Sequence, residues 1–217
     1  MSVCVVSAGT KTVLVPIANG SEEIEAVTII DVLRRAGASV TVASVEDTRQ
    51  VEMSRQVQLV ADKLISDCVG TTFDAIALPG GMPGAESLCA SKHLETLLME
   101  QQQSGRLLSA ICAAPAVVLE SKGLLKGLKA TCHPGFQGRL ANQSAISKRV
   151  VEADNIITSQ APGTAMEFSL AIVQRLFGEQ VAQETKIVSG ERLLIGLITR
   201  IGNNDLSRRN HRLGAAA

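Results

Sequence analysis

Tryptophan and tyrosine are absent from this 217-residue sequence, and phenylalanine occurs only four times. A surface that stacks bases needs exposed rings, so nucleic acid is not an expected partner. Neither sign of charge is in excess. The 21 Lys and Arg balance the 21 Asp and Glu, which leaves no global field for nucleic acid or an anionic membrane. No apolar run approaches the roughly 18 residues of a membrane-spanning helix. The five cysteines, Cys4, Cys68, Cys89, Cys112 and Cys132, are odd in number and contain no Cys-x-x-Cys pair. That pattern argues for a reducing compartment and against a disulfide framework or a structural zinc site. No His-x-x-x-His spacing, dinucleotide fingerprint or phosphate-loop lysine occurs, so neither a metal nor a cofactor is expected.

What is present reads as a globular α/β chain. Hydrophobic residues make up 46% of the sequence and charged residues 19%, a balance that buries a core. Thr12 to Ile17 and Ser39 to Ser44 are β-rich runs. Between them Ser21 to Ala36 reads as a helix stopped by Gly37. Val51 to Ala61 alternates enough to suggest a short hairpin. Asp74 to Leu78 is a strand ending in Pro79-Gly80-Gly81-Met82-Pro83-Gly84, and Lys92 to Gln103 carries Leu94, Leu97 and Leu98 at helical spacing. Leu107 to Ile111 is a strand, and Lys129 to Cys132 a brief one. Arg149 to Ala153 and Ile156 to Ser159 flank an Asp154-Asn155 turn, and Gly163 to Leu176 is strongly helical.

Strands alternating with helices of this size predict a doubly wound, mostly parallel sheet sandwiched by helices. The expected organisation is a short N-terminal segment over 1–10, one domain over 11–192 and an atypical C-terminal extension over 193–217. Leu193 to Ile201 is apolar, and the basic stretch from Asn203 to Arg212 reads as a solvated terminus. Met1 to Thr10 is too short and uncharged for a complete signal peptide, which makes cytoplasm the default. Its lack of acidic residues leaves an organelle address open.

The chemistry concentrates at Leu107-Leu108-Ser109-Ala110-Ile111-Cys112-Ala113-Ala114-Pro115. An apolar strand reaches Cys112, small residues follow, and Pro115 stands where a first-turn proline is tolerated. This is the pattern of a nucleophile elbow, in which a sharp turn exposes the nucleophile at the carboxyl end of a strand. A thiol at a helix N-terminus feels the positive end of the dipole, which favours the thiolate. A small buried cysteine ending a core strand would show the same local pattern. The loop Gly80-Gly81 belongs at the same end of the sheet, where ligands of such folds bind. Backbone N–H groups of Gly80, Gly81 and Ala113 are natural donors to a developing oxyanion. The acid–base group has two sources: Glu25, one turn inside the first helix beyond the capping Glu22 and Glu23, or His133.

Three segments together resemble the ThiJ/PfpI superfamily: Ala110-Ile111-Cys112-Ala113-Ala114-Pro115, Leu78-Pro79-Gly80-Gly81 and Gly20-Ser21-Glu22-Glu23-Ile24-Glu25. Cys132-His133-Pro134 and Ala161-Pro162-Gly163-Thr164-Ala165-Met166-Glu167-Phe168 resemble its Parkinson-disease deglycase branch. The similarity covers about residues 11 to 187. It implies a flavodoxin-like sandwich, a homodimer, Cys112 as nucleophile, Glu25 as its protonated carboxyl neighbour and His133 as an auxiliary group. It also implies that Gly81 and Ala113 serve the oxyanion and that Arg55 reaches the site from a partner subunit. Ala113 stands where the protease branch has its histidine, so peptidase activity lacks its base. His133-Pro134-Gly135 replaces the His-x-Glu of glutamine amidotransferases. Met53 and Val60 fall where some relatives carry further cysteines.

The activity these features imply is a cofactor-independent, glutathione-independent glyoxalase, a lyase that takes a small 2-oxoaldehyde to a 2-hydroxy acid. Deglycation of early glycated amines would share its first step. The alternative is a redox-sensing or chaperone-like protein in which Cys112 is oxidised and Glu25 donates a hydrogen bond to the product.

Overall fold

The computed structural model describes residues 10–190. The proposed N-terminal segment with Cys4, the apolar run from Leu193 and the basic stretch after Asn203 lie outside the described residues. The first strand, β1 (Thr12–Ile17), is buried from Val13 onward because its apolar side chains are covered on both faces. Helix α1 (Glu23–Arg35) follows, with Ala26, Ile29, Val32 and Leu33 facing the core at helical spacing. It ends at Gly37, whose φ of +90° is the left-handed conformation that closes a helix without a Cβ penalty. The helix starts two residues later than the sequence predicts. Ser21 is held outside it, its fully buried hydroxyl accepting from Ala18 N–H at 3.0 Å.

The chain then forms β2 (Ser39–Ser44), the hairpin strands β3 (Gln50–Glu52) and β4 (Gln58–Val60), and β5 (Lys63–Leu64). Next come β6 (Ala75–Leu78), α2 (Gly84–Ala90), α3 (Lys92–Gln103) and β7 (Leu107–Ile111). A wide-turned helix over Pro115–Glu120 follows the elbow. The last elements are β8 (Val150–Ala153), β9 (Ile156–Ser159), α4 (Ala165–Phe177) and α5 (Glu179–Val188). The seven-stranded sheet has the order β5-β2-β1-β6-β7-β9-β8 and is parallel except for β8, which pairs antiparallel with β9. One face packs against α1 and α4 through Ile29, Leu33, Phe168 and Ile172. The other packs against α2, α3 and the helix after the elbow through Leu88, Leu94, Leu98 and Val118. This is the flavodoxin-like α/β architecture.

One predicted strand does not form. Lys129–Cys132 runs beside the ends of β7 and β9 without joining the sheet, because its donors go elsewhere. Thr131 N–H bonds the Thr158 hydroxyl at 3.0 Å, and the next residue but one, His133, donates to the Cys112 carbonyl at 2.8 Å. The structure adds two helices to those expected: α2, a short helix that opens directly from the glycine loop at Gly84, and α5, which begins immediately after Gly178 closes α4.

Candidate active site

The carboxyl ends of β1, β6, β7 and β9 bring the candidate residues together. Cys112 follows β7 directly and has φ +65°, a left-handed conformation that costs a non-glycine residue about 1–3 kcal/mol unless its surroundings impose it. Here they do. Cys112 N–H donates to the Ser159 carbonyl at 3.0 Å, and its own carbonyl accepts from His133 N–H at 2.8 Å. Ser159 is fixed in turn by its hydroxyl, 2.7 Å from the Thr164 hydroxyl and 2.8 Å from the Arg149 carbonyl. The elbow inferred from small residues is therefore a strained turn clamped on both sides. Thr158 and Ser159 escaped sequence reasoning, their only signal being position at the carboxyl end of a strand that pairs with the cysteine strand. Thr164 belongs to the Ala161–Phe168 segment, where nothing local marks its bond to Ser159.

Gly80 and Gly81 answer different demands. A Cβ on Gly80 would lie 2.6 Å from Cys112 Cβ and 2.9 Å from both Ala113 N and Ile111 O, so the loop reaches the nucleophile only as glycine. Gly80 N–H, expected among the oxyanion donors, is committed to Glu25 Oε2 at 2.7 Å. The N–H groups that act on the Cys112 sulfur are those of Gly81 and Ala113. Gly81 itself has φ +86°, and a Cβ there would meet the Gly20 carbonyl at 2.5 Å.

A prediction follows from this packing. Gly80→Ala is expected to lower stability by about 1–3 kcal/mol, the usual cost of overpacking, and to misplace the sulfur. Gly163→Ala, with nothing within 4 Å of its added Cβ, serves as the neutral control. Thermal unfolding of the two variants checks it, and equal midpoints would contradict the close approach.

Glu25 is completely buried. Burial raises its carboxyl from 4.5 to about 7, the charge of Glu22 adds to this, and the bonds from Gly80 N–H and the Cys112 thiol oppose it. Oε1 has no hydrogen bond of good geometry among the described residues. The Cys112 thiol acts on the Glu25 carboxyl as a whole. Cys112 is 8% exposed. Burial first, then the charge and hydrogen bond of Glu25, push its thiol up to about 12, with Gly81 and Ala113 N–H pulling the other way. A depressed thiol, as the elbow alone suggests, is thus offset by the buried carboxyl beside it. Interacting groups titrate as a pair. The first proton leaves this pair near 7 and the second is held to about 12.

His133 is half-buried, and its backbone rather than its ring is bonded to Cys112. Ring Nδ1 accepts from Gly135 N–H at 3.1 Å, so any proton the ring exchanges passes through Nε2. Arg55 is exposed on the β3–β4 hairpin. Its backbone N–H donates to Glu23 Oε1 at 2.6 Å and its guanidinium to the Ser54 carbonyl at 3.0 Å, so this chain does not bring it to its own Cys112. A cavity of about 540 Å³ adjoins the site through Gly20 and Pro83, between Ser54, Met53 and Met82. Cys112 does not line it. No group of three or more His, Cys, Asp or Glu suited to a metal occurs among the described residues. No helix among them is long and apolar enough to cross a membrane.

Comparison with known proteins agrees with this fold. The model of the DJ-1/PfpI family matches residues 11–175. Protein DJ-1 homolog B of Arabidopsis thaliana is 49% identical over 79% of this chain, and the match covers 39% of that relative. The chain therefore spans well under half the length of this plant protein. The glutathione-independent glyoxalase DJR-1.2 of Caenorhabditis elegans is 37% identical over 74% of this chain and 85% of its own length. The structure of oxidised Toxoplasma gondii DJ-1 superposes with a TM-score of 0.80 at 48% identity, covering 82% of this chain and 97% of the other.

Proposed function

Because this chain belongs to the DJ-1/PfpI family, we propose that it is a glutathione-independent glyoxalase acting on small 2-oxoaldehydes such as methylglyoxal. The observation that carries the reading is the pairing of Cys112 with the fully buried Glu25 carboxyl, beside two backbone donors that act on the sulfur. Above pH 7 the pair holds one proton. Two N–H groups serve the sulfur and one serves the carboxylate, so the charge settles on sulfur and the proton on Glu25. The thiolate adds to the aldehyde carbon, and the new oxyanion takes up a proton, giving a hemithioacetal. Removal of the C1 hydrogen and protonation at C2 pass through an enediol and leave a thioester. Glu25 moves these protons, with His133 Nε2 as the auxiliary group. Water cleaves the thioester, releasing lactate and restoring the thiol. Deglycation of an early glycated amine would begin with the same addition.

The reading extends to a homodimer. Val27 and Val60 line one groove with Ile30 and Leu59, and both valines are exposed large apolar side chains. A second copy on this face would cover them and carry Arg55 toward the partner's site.

The test is loss of methylglyoxal with formation of lactate in the absence of glutathione. Turnover is expected to rise with pH through about 7, where the pair gives up its first proton, and then to stay level toward the second ionisation. A kcat/KM profile from pH 5 to 10 checks it, and a flat profile across 7 would remove the pair from the mechanism.

The same two donors and carboxyl favour a second reading, redox sensing. Peroxide would convert the thiolate first to a sulfenate and then to a sulfinate, releasing one water at each step, with Glu25 donating a hydrogen bond to the product. Intact mass after peroxide, compared with aldehyde turnover before it, separates the two.

A further inference from the structure

Glu22 looks from the sequence like an ordinary helix cap, and its carboxylate does accept from Glu25 N–H at 2.7 Å. Two further bonds give it another position. Glu22 N–H donates to the Gly80 carbonyl at 2.9 Å, and Gly80 N–H donates to Glu25 Oε2 at 2.7 Å. Glu22, Gly80 and Glu25 thus close a ring of three short hydrogen bonds. The ring ties the start of α1 to the loop whose next amide, Gly81, faces the Cys112 sulfur.

We propose that Glu22 is a positioning residue for the reaction, its charged carboxylate fixing Glu25 in this ring and keeping the shared proton on Glu25. The proposal rests on the glyoxalase reading for its catalytic meaning, and on the ring alone for its effect on Glu25. At the N-cap of α1, Glu22 is the charged group that acts on Glu25, and from the β7 elbow the titratable group is Cys112. Partial burial raises the Glu22 carboxyl from its ordinary value, the bonds from Glu25 and Ile24 N–H and the charge of Arg55 oppose this, and the charge of Glu23 adds to it. His133 lies on the segment bonded to the Cys112 carbonyl. Glu22 is bonded directly to the Glu25 backbone and acts on its carboxyl. Its charge therefore biases the proton toward the carboxyl and the negative charge toward sulfur. Glu22 is only partly buried, so its influence is screened but not lost.

Glu22→Gln keeps an oxygen to accept from Glu25 N–H and removes the charge. Glu22→Asn, a favoured cap of different length, is the second neutral variant, and Glu22→Asp keeps both cap and charge. The carboxyl ¹³C resonance of Glu25, assigned by its disappearance in Glu25→Gln, is titrated in each folded protein alongside kcat/KM. The Glu25 midpoint is expected to fall by about half a pH unit in both neutral variants, the size of one partly screened charge, and kcat/KM above pH 7 to fall by up to about threefold as the shared proton moves from Glu25 to sulfur. Glu22→Asp should restore both. An unmoved Glu25 midpoint in folded Glu22→Gln and Glu22→Asn would overturn the proposal and leave Glu22 as a cap. The resonance titrates whether or not the wild type consumes methylglyoxal, so failure of the glyoxalase reading is seen separately.

Discussion

Replacement of Cys112 by Ala is expected to reduce aldehyde turnover to the background rate, a loss of at least several orders of magnitude, with the fold unchanged. The chemistry as proposed has no route around the covalent hemithioacetal, so nothing else in the site compensates. The fold should survive because the strain of φ +65° is imposed by the Ser159 and His133 bonds to the backbone, which alanine retains. Cys68 and Cys132 are buried, and burial raises the thiol of each above its ordinary value, Cys132 to about 12. Neither has the two backbone donors that act at Cys112. Cys89 is half-buried on α2. Serine or alanine at any of these three should leave turnover largely intact. The measurement is kcat/KM for methylglyoxal, with circular dichroism as the check on folding. Equal loss at another cysteine in a folded protein would move the nucleophile.

Glu25→Gln is expected to lower turnover by about 100- to 10,000-fold, the range of a general acid–base group, while making the protein more stable above pH 7. Gln keeps an oxygen for Gly80 N–H, so the loop stays in place. The sign of the stability effect follows from the raised carboxyl. Between 4.5 and about 7 the folded protein holds a proton that the unfolded chain has released. Wild-type stability therefore falls as pH rises across that window and stays at its lower level above it. The full effect is roughly 3 kcal/mol at 1.36 kcal/mol per pH unit. The variant lacks this dependence, so its melting temperature should exceed that of the wild type by several degrees at pH 8 and match it more closely at pH 5. Glu25→Asp withdraws the carboxyl by one methylene, and a displacement of about 1 Å can cost roughly 100-fold. Near wild-type turnover in Glu25→Gln would assign the proton transfers to His133. Turnover lost with no change in the pH dependence of stability would mean that Glu25 does not carry the buried proton.

The two predictions rest on residues that differ in how they could be found. Cys112 was legible because an apolar strand, small neighbours and Pro115 spell a sharp turn in one short stretch. Glu25 was legible only as one of two candidates. Nothing within α1 separates a capping glutamate from a catalytic one until β6 is placed beside β1. The register that pairs Leu14 with Ile76, and Ile76 with Leu108, does this by bringing the ends of three separate segments together.

The sequence by itself determined the elements that local chemistry governs. Strands Thr12–Ile17 and Ser39–Ser44 and helix Lys92–Gln103 fall where β-branched runs and leucine spacing put them. The hairpin around Asp154-Asn155 follows from its turn residues. The tertiary structure decided what depends on partners distant along the chain. Lys129–Cys132 has strand composition and forms no strand, because a hydroxyl on β9 and the carbonyl of Cys112 take the donors a ladder would need. Gly80 lost its expected role to Glu25, 55 residues away, and the conformation of Cys112 is held by Ser159 and His133. A buried backbone donor bonds the acceptor that packing places within reach. Composition names the acceptors on offer, and only the folded chain selects among them.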